Sequence, residues 1–108
     1  MKHQHNLSTR QFVVSCDVRM TLLAVTFPTL TEGTPGIEPW DARVLDRWAS
    51  TDPAVTSGSL VATRFLLHVW NDQTDWQCGR FSLREAYGTW DRKHWAVMLE
   101  FLTAPMFP

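Results

Sequence analysis

The amino-acid sequence predicts a mainly α-helical fold, a compact bundle of about four helices whose N-terminal segment is either helical or extended. Three stretches lead to this prediction. Residues 59–72, SLVATRFLLHVWND, are apolar around most of a helical circumference, which is typical of a helix that other elements surround. Residues 39–50 show an apolar and a polar face at helical spacing, and the stretch from Ser82 opens with a helix-capping sequence.

The length and composition indicate a single soluble domain. A chain of 108 residues can bury a core of its own. Its formal net charge of -1 weighs against binding to nucleic acid, which requires a basic surface. The two cysteines, Cys16 and Cys78, lie far apart, so we expect reduced thiols in a cytoplasmic protein. No apolar run is long enough to span a membrane.

The N-terminal residues 1–27 leave two interpretations open. We expect residues 1–10 to be disordered or a leader. Residues 11–27 fit a helix, with Cys16, Met20, Leu23 and Phe27 on one face. They also fit extended structure, which their many β-branched side chains favour. Prolines and glycines then predict a loop over residues 28–38.

Residues 39–108 are predicted to form the helical domain. A first helix runs from about Pro39, a residue suited to the first helical position, to Ser50. Its polar face comprises Asp41, Arg43, Asp46, Arg47 and Ser50. The central helix begins within residues 56–59, where hydroxyl side chains can cap it.

The C-terminal third is predicted to hold the last two helices. Ser82 and Glu85 have capping-box spacing and open a short amphipathic helix. Asp91 then either caps a new helix, Arg92 to about Leu102, or lies at a kink. In this helix we expect the large apolar residues to face inward: Trp95, Val97, Met98, Phe101 and Leu102. The apolar tail after it must lie against its own domain or a partner.

Candidate chemistry is limited to a few polar side chains. Arg64, His68 and Asp72 follow each other at i, i+4, i+8 on the central helix and form a polar strip, which is also what an ordinary solvent-facing edge looks like. Cys78 and His94 complete this candidate polar site. They lack the pair spacing of zinc ligands, so we expect no metal, no cofactor and no assigned catalytic residue.

The charges on the last helix are reversed relative to its dipole. Arg92 and Lys93 lie in its first turn and Glu100 lies near its end, whereas the dipole favours acidic residues at the start and basic ones at the end. Such a pattern is sometimes kept for a ligand or partner. Ordinary surface charge, partly offset by Asp91, explains it as well.

The remaining aromatic and apolar residues suggest an interface. Trp40, Trp76, Met106 and Phe107 lie at a helix start, in a loop and in the tail, and exposed tryptophans often form hot spots of protein interfaces. We therefore expect a non-enzymatic protein–protein interaction module, with a homodimer or another protein as partner.

Two other functions stay open at this stage. One alternative is a small-molecule-binding protein or enzyme with a tryptophan-lined pocket around His68 and Cys78. A second alternative is a DNA-binding helix-turn-helix over residues 59–90, which ranks last because the recognition helix would carry a single Arg balanced by Glu85.

The second half of the chain is similar to a set of small, tryptophan-rich, uncharacterised bacterial proteins. The resemblance covers roughly residues 54–108. It is carried by the following residues: Phe65, Val69, Trp70, Asn71, Trp76, Cys78, Gly79, Phe81, Ala86, Trp90, Asp91, His94 and Pro105. It implies a bacterial origin and a helical fold, and it implies no reaction.

Overall fold

The structure is a computed structural model, and it describes residues 16–103. This part of the chain consists of helices and connecting loops and contains no strand. In chain order its five helices are α1 (residues 16–26), α2 (Ala42–Thr51), α3 (Ser57–Trp70), α4 (Leu83–Thr89) and α5 (Arg92–Thr103). The mainly α-helical prediction is confirmed, with one helix more than the expected four.

The additional helix is α1, which decides between helix and strand for residues 16–26. Met20, Leu23, Ala24 and Phe27 are all buried, as the helical interpretation of the sequence requires. Packing of this apolar face outweighs the preference of the β-branched residues for extended structure, because intrinsic propensity contributes less free energy than the burial of apolar side chains. The predictions for residues 1–15 lie outside the described residues.

Helix α3 occupies the centre, as its apolar sequence predicts. It contacts both α2 and α4. The side chain of Thr56 caps its start by accepting a hydrogen bond from the backbone N–H of Ser59 at 3.1 Å. Its buried residues are Ser59, Val61, Ala62, Thr63, Phe65, Leu66 and Leu67.

Helix α2 begins three residues later than the sequence suggested. Asp41 is its N-cap, and the carboxylate accepts the backbone N–H groups of Arg43 and Val44, both at 3.2 Å. Pro39 precedes the helix and follows a cis peptide bond with Glu38. The polar face also needs a correction, because Asp46 is buried.

Helices α4 and α5 are separate, with Trp90 as the C-cap of α4. The hydroxyl of Ser82 accepts the backbone N–H of Glu85 at 3.3 Å, as the capping-box spacing predicts. Asp91 caps α5, because its Oδ1 accepts the backbone N–H of His94 at 3.0 Å. A new helix, rather than a kink, therefore follows Asp91.

The core is organised around a cluster of aromatic rings. Trp90 lies at its centre, with ring centroids 5.5 Å from Phe27, 5.7 Å from Phe81 and 6.2 Å from Phe65. Such edge-to-face and tilted pairs stabilise a core beyond the area that they bury. None of the helices in residues 16–103 combines the length and the apolar character that a membrane crossing requires.

Candidate functional site

The loop between α3 and α4 is held in place by polar side chains from two helices. Asp46 on α2 accepts the backbone N–H groups of Gln77, at 3.0 Å, and Cys78, at 2.8 Å. Arg64 on α3 donates from Nε to the backbone carbonyl of Cys78 at 2.6 Å. Both backbone polar groups of Cys78 are therefore satisfied by charged side chains, which form strong hydrogen bonds.

The same arginine connects this loop to α4. Its Nη1 donates to both carboxylate oxygens of Glu85, at 2.9 and 3.1 Å. The guanidinium also lies against Gly79, where the backbone φ is +96° and an added Cβ would approach Arg64 to within 3.1 Å. Arg64, one of the predicted site residues, is thus a structural residue that joins α3, the loop and α4.

The thiol of Cys78 is kept protonated by its surroundings. Burial, followed by the hydrogen bond and the negative charge of Asp46, raises its pKa from the usual 9.0 to about 12 against the opposing charge of Arg64. A thiol is a nucleophile only as its thiolate. Cys78 is therefore not suited to nucleophilic catalysis at neutral pH.

We expect Cys78 to be unreactive towards a disulfide reagent in the native protein at pH 8. Three units of pKa reduce the thiolate population about a thousandfold, because each unit is a factor of ten. Cys16 is partly exposed, so the wild-type chain should show one fast thiol, and the Cys16→Ser variant should show none until denaturant is added. Cys78→Ser is the control and keeps the fast thiol. A fast reaction in Cys16→Ser would contradict the protected state of Cys78.

His94 is buried and both of its ring nitrogens have partners. Nδ1 lies 2.8 Å from Oδ1 of Asp91, and Nε2 lies 3.0 Å from the hydroxyl of Thr29. The hydrogen bond from the His94 side chain, together with the one from its backbone N–H, lowers the pKa of the Asp91 carboxyl. His94 also stacks on Trp90 at 5.7 Å. It joins the start of α5 to the loop after α1, and it has no ring nitrogen available to a substrate.

The polar strip predicted on the central helix is not assembled. His68 is exposed on α3, but this helix ends at Trp70, so Asp72 lies beyond it and the i, i+4 geometry does not extend to it. The Asp72 carboxylate accepts a hydrogen bond from Nε2 of Gln73 at 3.3 Å. Among residues 16–103, no three His, Cys, Asp or Glu side chains are grouped so that they could hold a metal ion.

The predicted aromatic interface also needs correction. Trp40 is only 8% exposed and packs on Trp70 with ring centroids 5.6 Å apart. Trp76 is half-buried, and its Nε1 donates to the backbone carbonyl of Asn71 at 3.0 Å. Both tryptophans therefore belong largely to the fold. Met106 and Phe107 lie outside the described residues.

Three surface grooves lie elsewhere than at His68 and Cys78. One of them, of about 450 Å³, has this lining: Asp17, Val18, Thr21, Leu22, Val25, Glu32, Glu38, Pro39 and Trp40. A second, of about 350 Å³, is lined in part by Trp40, Trp70 and Trp76, and a third, of about 220 Å³, in part by Asp46 and Trp76. The tryptophan-lined pocket that the sequence suggested around His68 and Cys78 is not among these three grooves.

The most exposed of the large apolar side chains in residues 16–103 lie on α4 and α5. We call five residues the α4–α5 face: Leu83, Tyr87, Trp95, Leu99 and Leu102. The two leucines of α5 and Leu83 are 54–58% exposed, and Tyr87 is 78% exposed. The rings of Tyr87 and Trp95 are in contact, with centroids 5.0 Å apart, so the two helices contribute to one surface.

Sequence analysis missed this surface because α5 has two apolar stripes. The inner stripe, with His94 and Met98, is buried. Trp95, Leu99 and Leu102 form a second stripe at i, i+4, i+7, and the expectation that Leu102 faces inward is wrong. The sequence feature that could have indicated this surface is the width of the apolar arc of α5, which is greater than one packing partner covers.

No family model, curated protein or solved structure matches this chain. The resemblance to small bacterial proteins therefore stays an expectation from the sequence. A functional proposal has to rest on the geometry and chemistry of residues 16–103.

Proposed function

We propose that this protein is a non-enzymatic interaction module that self-associates through the α4–α5 face. The observation that carries the proposal is the exposure of that face. Monomeric soluble proteins rarely leave contiguous apolar surfaces of this kind uncovered, and such surfaces mark interaction sites. Aromatic residues such as Tyr87 and Trp95 are the side chains most enriched at interface hot spots.

The state of the other candidate residues supports a non-enzymatic role. The Cys78 thiol is protonated and buried, and the ring nitrogens of His94 are both hydrogen-bonded. Arg64 is committed to Glu85 and to the loop carbonyl. The fold thus uses the residues that catalysis would need, whereas Leu83, Tyr87, Leu99 and Leu102 of the α4–α5 face remain exposed.

A bacterial origin and a cytoplasmic location are part of this proposal. The sequence resemblance supports the origin. Cys16 and Cys78 are free thiols, which suits a reducing compartment.

The replacement Leu99→Lys tests the proposal. Leu99 lies in the middle of the α5 stripe and is more than half exposed, so the lysine should leave the folded monomer intact. We expect the wild-type chain to sediment as a dimer at micromolar concentration and Leu99→Lys to sediment as a monomer, a loss of at least tenfold in affinity because a charge would be buried at the interface.

Val44→Lys is the matched control. Val44 is also an exposed apolar residue, but it lies on α2, so the same charge there should leave the dimer unchanged. Thermal unfolding of both variants checks that each remains folded. A wild-type chain that is monomeric at all accessible concentrations, or a Leu99→Lys variant that dimerises normally, would overturn the proposal.

A further inference from the structure

One surface groove brings three of the six tryptophans together. Trp40, Trp70 and Trp76 line the groove of about 350 Å³, together with residues of α1, α2 and the loop after α3. This volume lies within the range of about 300–1,000 Å³ that is usual for small-molecule sites. We call it the tryptophan groove.

The fold fixes the arrangement of these three indoles. Trp40 is 8% exposed, and its ring lies 5.6 Å from that of Trp70 with an angle of 58° between the planes. Trp76 is anchored by the hydrogen bond from its Nε1 to the carbonyl of Asn71. Trp70, the last residue of α3, remains 38% exposed. The groove therefore offers a pre-organised aromatic surface, which reduces the entropy cost of binding a ligand.

Polar side chains beside the indoles have hydrogen-bonding groups that the protein does not use. Within residues 16–103, no hydrogen bond or ion pair engages the carboxylate of Asp17, the guanidinium of Arg43 or the hydroxyl of Thr74, all of which line the groove. The buried Nε1 of Trp40 also has no hydrogen-bond partner in this part of the chain. Buried polar groups normally have one, so the groove has unused donors and an unused acceptor.

An aromatic surface beside mixed polar groups is suited to a sugar ring. A pyranose with equatorial hydroxyls has C–H groups on its two faces, and these carry partial positive charge that is attracted to the negative face of an indole. Its hydroxyls both donate and accept, so they can pair with a carboxylate and a guanidinium together. The charges of Asp17, Asp41 and Arg43 have both signs, whereas a phosphate or a simple cation requires one sign.

We propose that the tryptophan groove binds a neutral β-linked pyranose oligosaccharide, one ring of which stacks on Trp70 while its hydroxyls bond with Asp17 and Arg43. This inference goes beyond self-association and does not depend on it, because no residue of the α4–α5 face lines the groove. The binding requires no bond to form or break, so it is consistent with a non-enzymatic protein.

Isothermal titration calorimetry of the full-length chain with cellotriose and chitotriose tests this site. Both are neutral, β-linked trisaccharides with equatorial hydroxyls. We expect the better of the two to bind with a dissociation constant of about 1 mM or lower. Sorbitol offers similar hydroxyls without a ring face, and tetramethylammonium offers a cation to the indoles. Both should bind about tenfold more weakly or less.

Variants show whether the sugar binds in the groove. Trp70→Ala should weaken the binding about tenfold, as the loss of an aromatic anchor does, and Trp70→Phe, which keeps a flat ring, should bind more tightly than Trp70→Ala. Asp17→Asn removes a charged acceptor and should weaken the binding roughly fivefold. His68→Ala is the matched control, because His68 is an exposed ring on the same helix as Trp70 but does not line the groove.

Each outcome decides for or against the sugar site. Weaker binding in Trp70→Ala and Asp17→Asn, with unchanged binding in His68→Ala, supports it. Thermal unfolding checks that Trp70→Ala is folded, since this ring packs on Trp40, and Asp17→Asn decides the matter if it is not. The proposal is overturned if neither trisaccharide binds at about 10 mM, if Asp17→Asn binds like the wild type, or if sorbitol binds as tightly as the sugars. Tighter binding of tetramethylammonium would also overturn it and would assign the groove to a cation.

Discussion

The Asp46→Ala variant is expected to lose about 3 kcal/mol of the free energy of unfolding, since a buried N–H that loses its partner, here that of Cys78, costs about 1–3 kcal/mol and the partly buried N–H of Gln77 loses its partner as well. Asp46 is buried on α2 and accepts the backbone N–H groups of both Gln77 and Cys78. Alanine would leave these two donors without an acceptor. Urea unfolding followed by tryptophan fluorescence measures the change.

Asp41→Ala is the matched control for this prediction. Asp41 precedes the same helix and also accepts two backbone N–H groups, but its carboxylate is exposed. Water can replace an exposed cap, so its loss should cost about 1 kcal/mol. If Asp41→Ala proved as costly as Asp46→Ala, burial would not be the reason for the effect, and our account of the loop anchor would be wrong.

The loss of Asp46 should also change the chemistry of Cys78. Asp46 raises the pKa of this thiol through its hydrogen bond and its negative charge. Asp46→Asn removes the charge and keeps the shape, so the pKa of Cys78 should fall, although burial keeps it above the usual value. The pH dependence of thiol alkylation in a Cys16→Ser background would show this shift.

Local signals in the sequence predicted the helices well. The apolar circumference of α3 and the Ser82 cap depend only on residues near them in the chain, and the structure has both. The helical spacing of Met20, Leu23 and Phe27 is also a local signal, but the β-branched residues beside them left the choice between helix and extended structure open. Packing on the aromatic cluster, which involves distant residues, decides it.

The polar contacts could not be predicted because they join residues far apart in the chain. Asp46 has the spacing of a solvent-facing residue on α2, and only the return of the loop 31 residues later buries it. Arg64 was recognised as a candidate, but its partners lie 14 and 21 residues away. A spacing rule within one helix contains no information about these contacts, so it assigned Arg64 to a strip with His68 instead.

The role of each glycine in the loop before α2 also depends on contacts that the local sequence does not reveal. The composition of residues 28–38 predicts a loop, but it does not tell which glycine the fold requires. The structure singles out Gly36, whose φ is +87° and whose carbonyl accepts the backbone N–H of Asp41 at 2.8 Å. A Cβ at this position would lie 2.5 Å from the backbone nitrogen of Leu45 and 2.6 Å from the carbonyl oxygen of Asp41.

We therefore expect Gly36→Ala to destabilise the protein by about 3 kcal/mol. A left-handed conformation costs a non-glycine residue roughly 1–2 kcal/mol, and the collision is with the backbone of α2, which cannot move aside as a flexible side chain can. The cost should be measured by equilibrium urea unfolding of the variant and the wild type.

Gly88→Ala makes the same chemical change as Gly36→Ala, but we expect it to change the stability in the opposite direction. Gly88 lies within α4, and no heavy atom beyond its chain neighbours and the nearby backbone of its own helix lies within 4 Å of an added Cβ. Alanine there should stabilise the protein by roughly 0.5–1 kcal/mol, because it restricts the unfolded chain and favours the helix. If Gly36→Ala were neutral, the loop before α2 would not be held against Leu45 as the structure describes. The pair of variants thus separates a conformational requirement for glycine from the general effect of adding a methyl group.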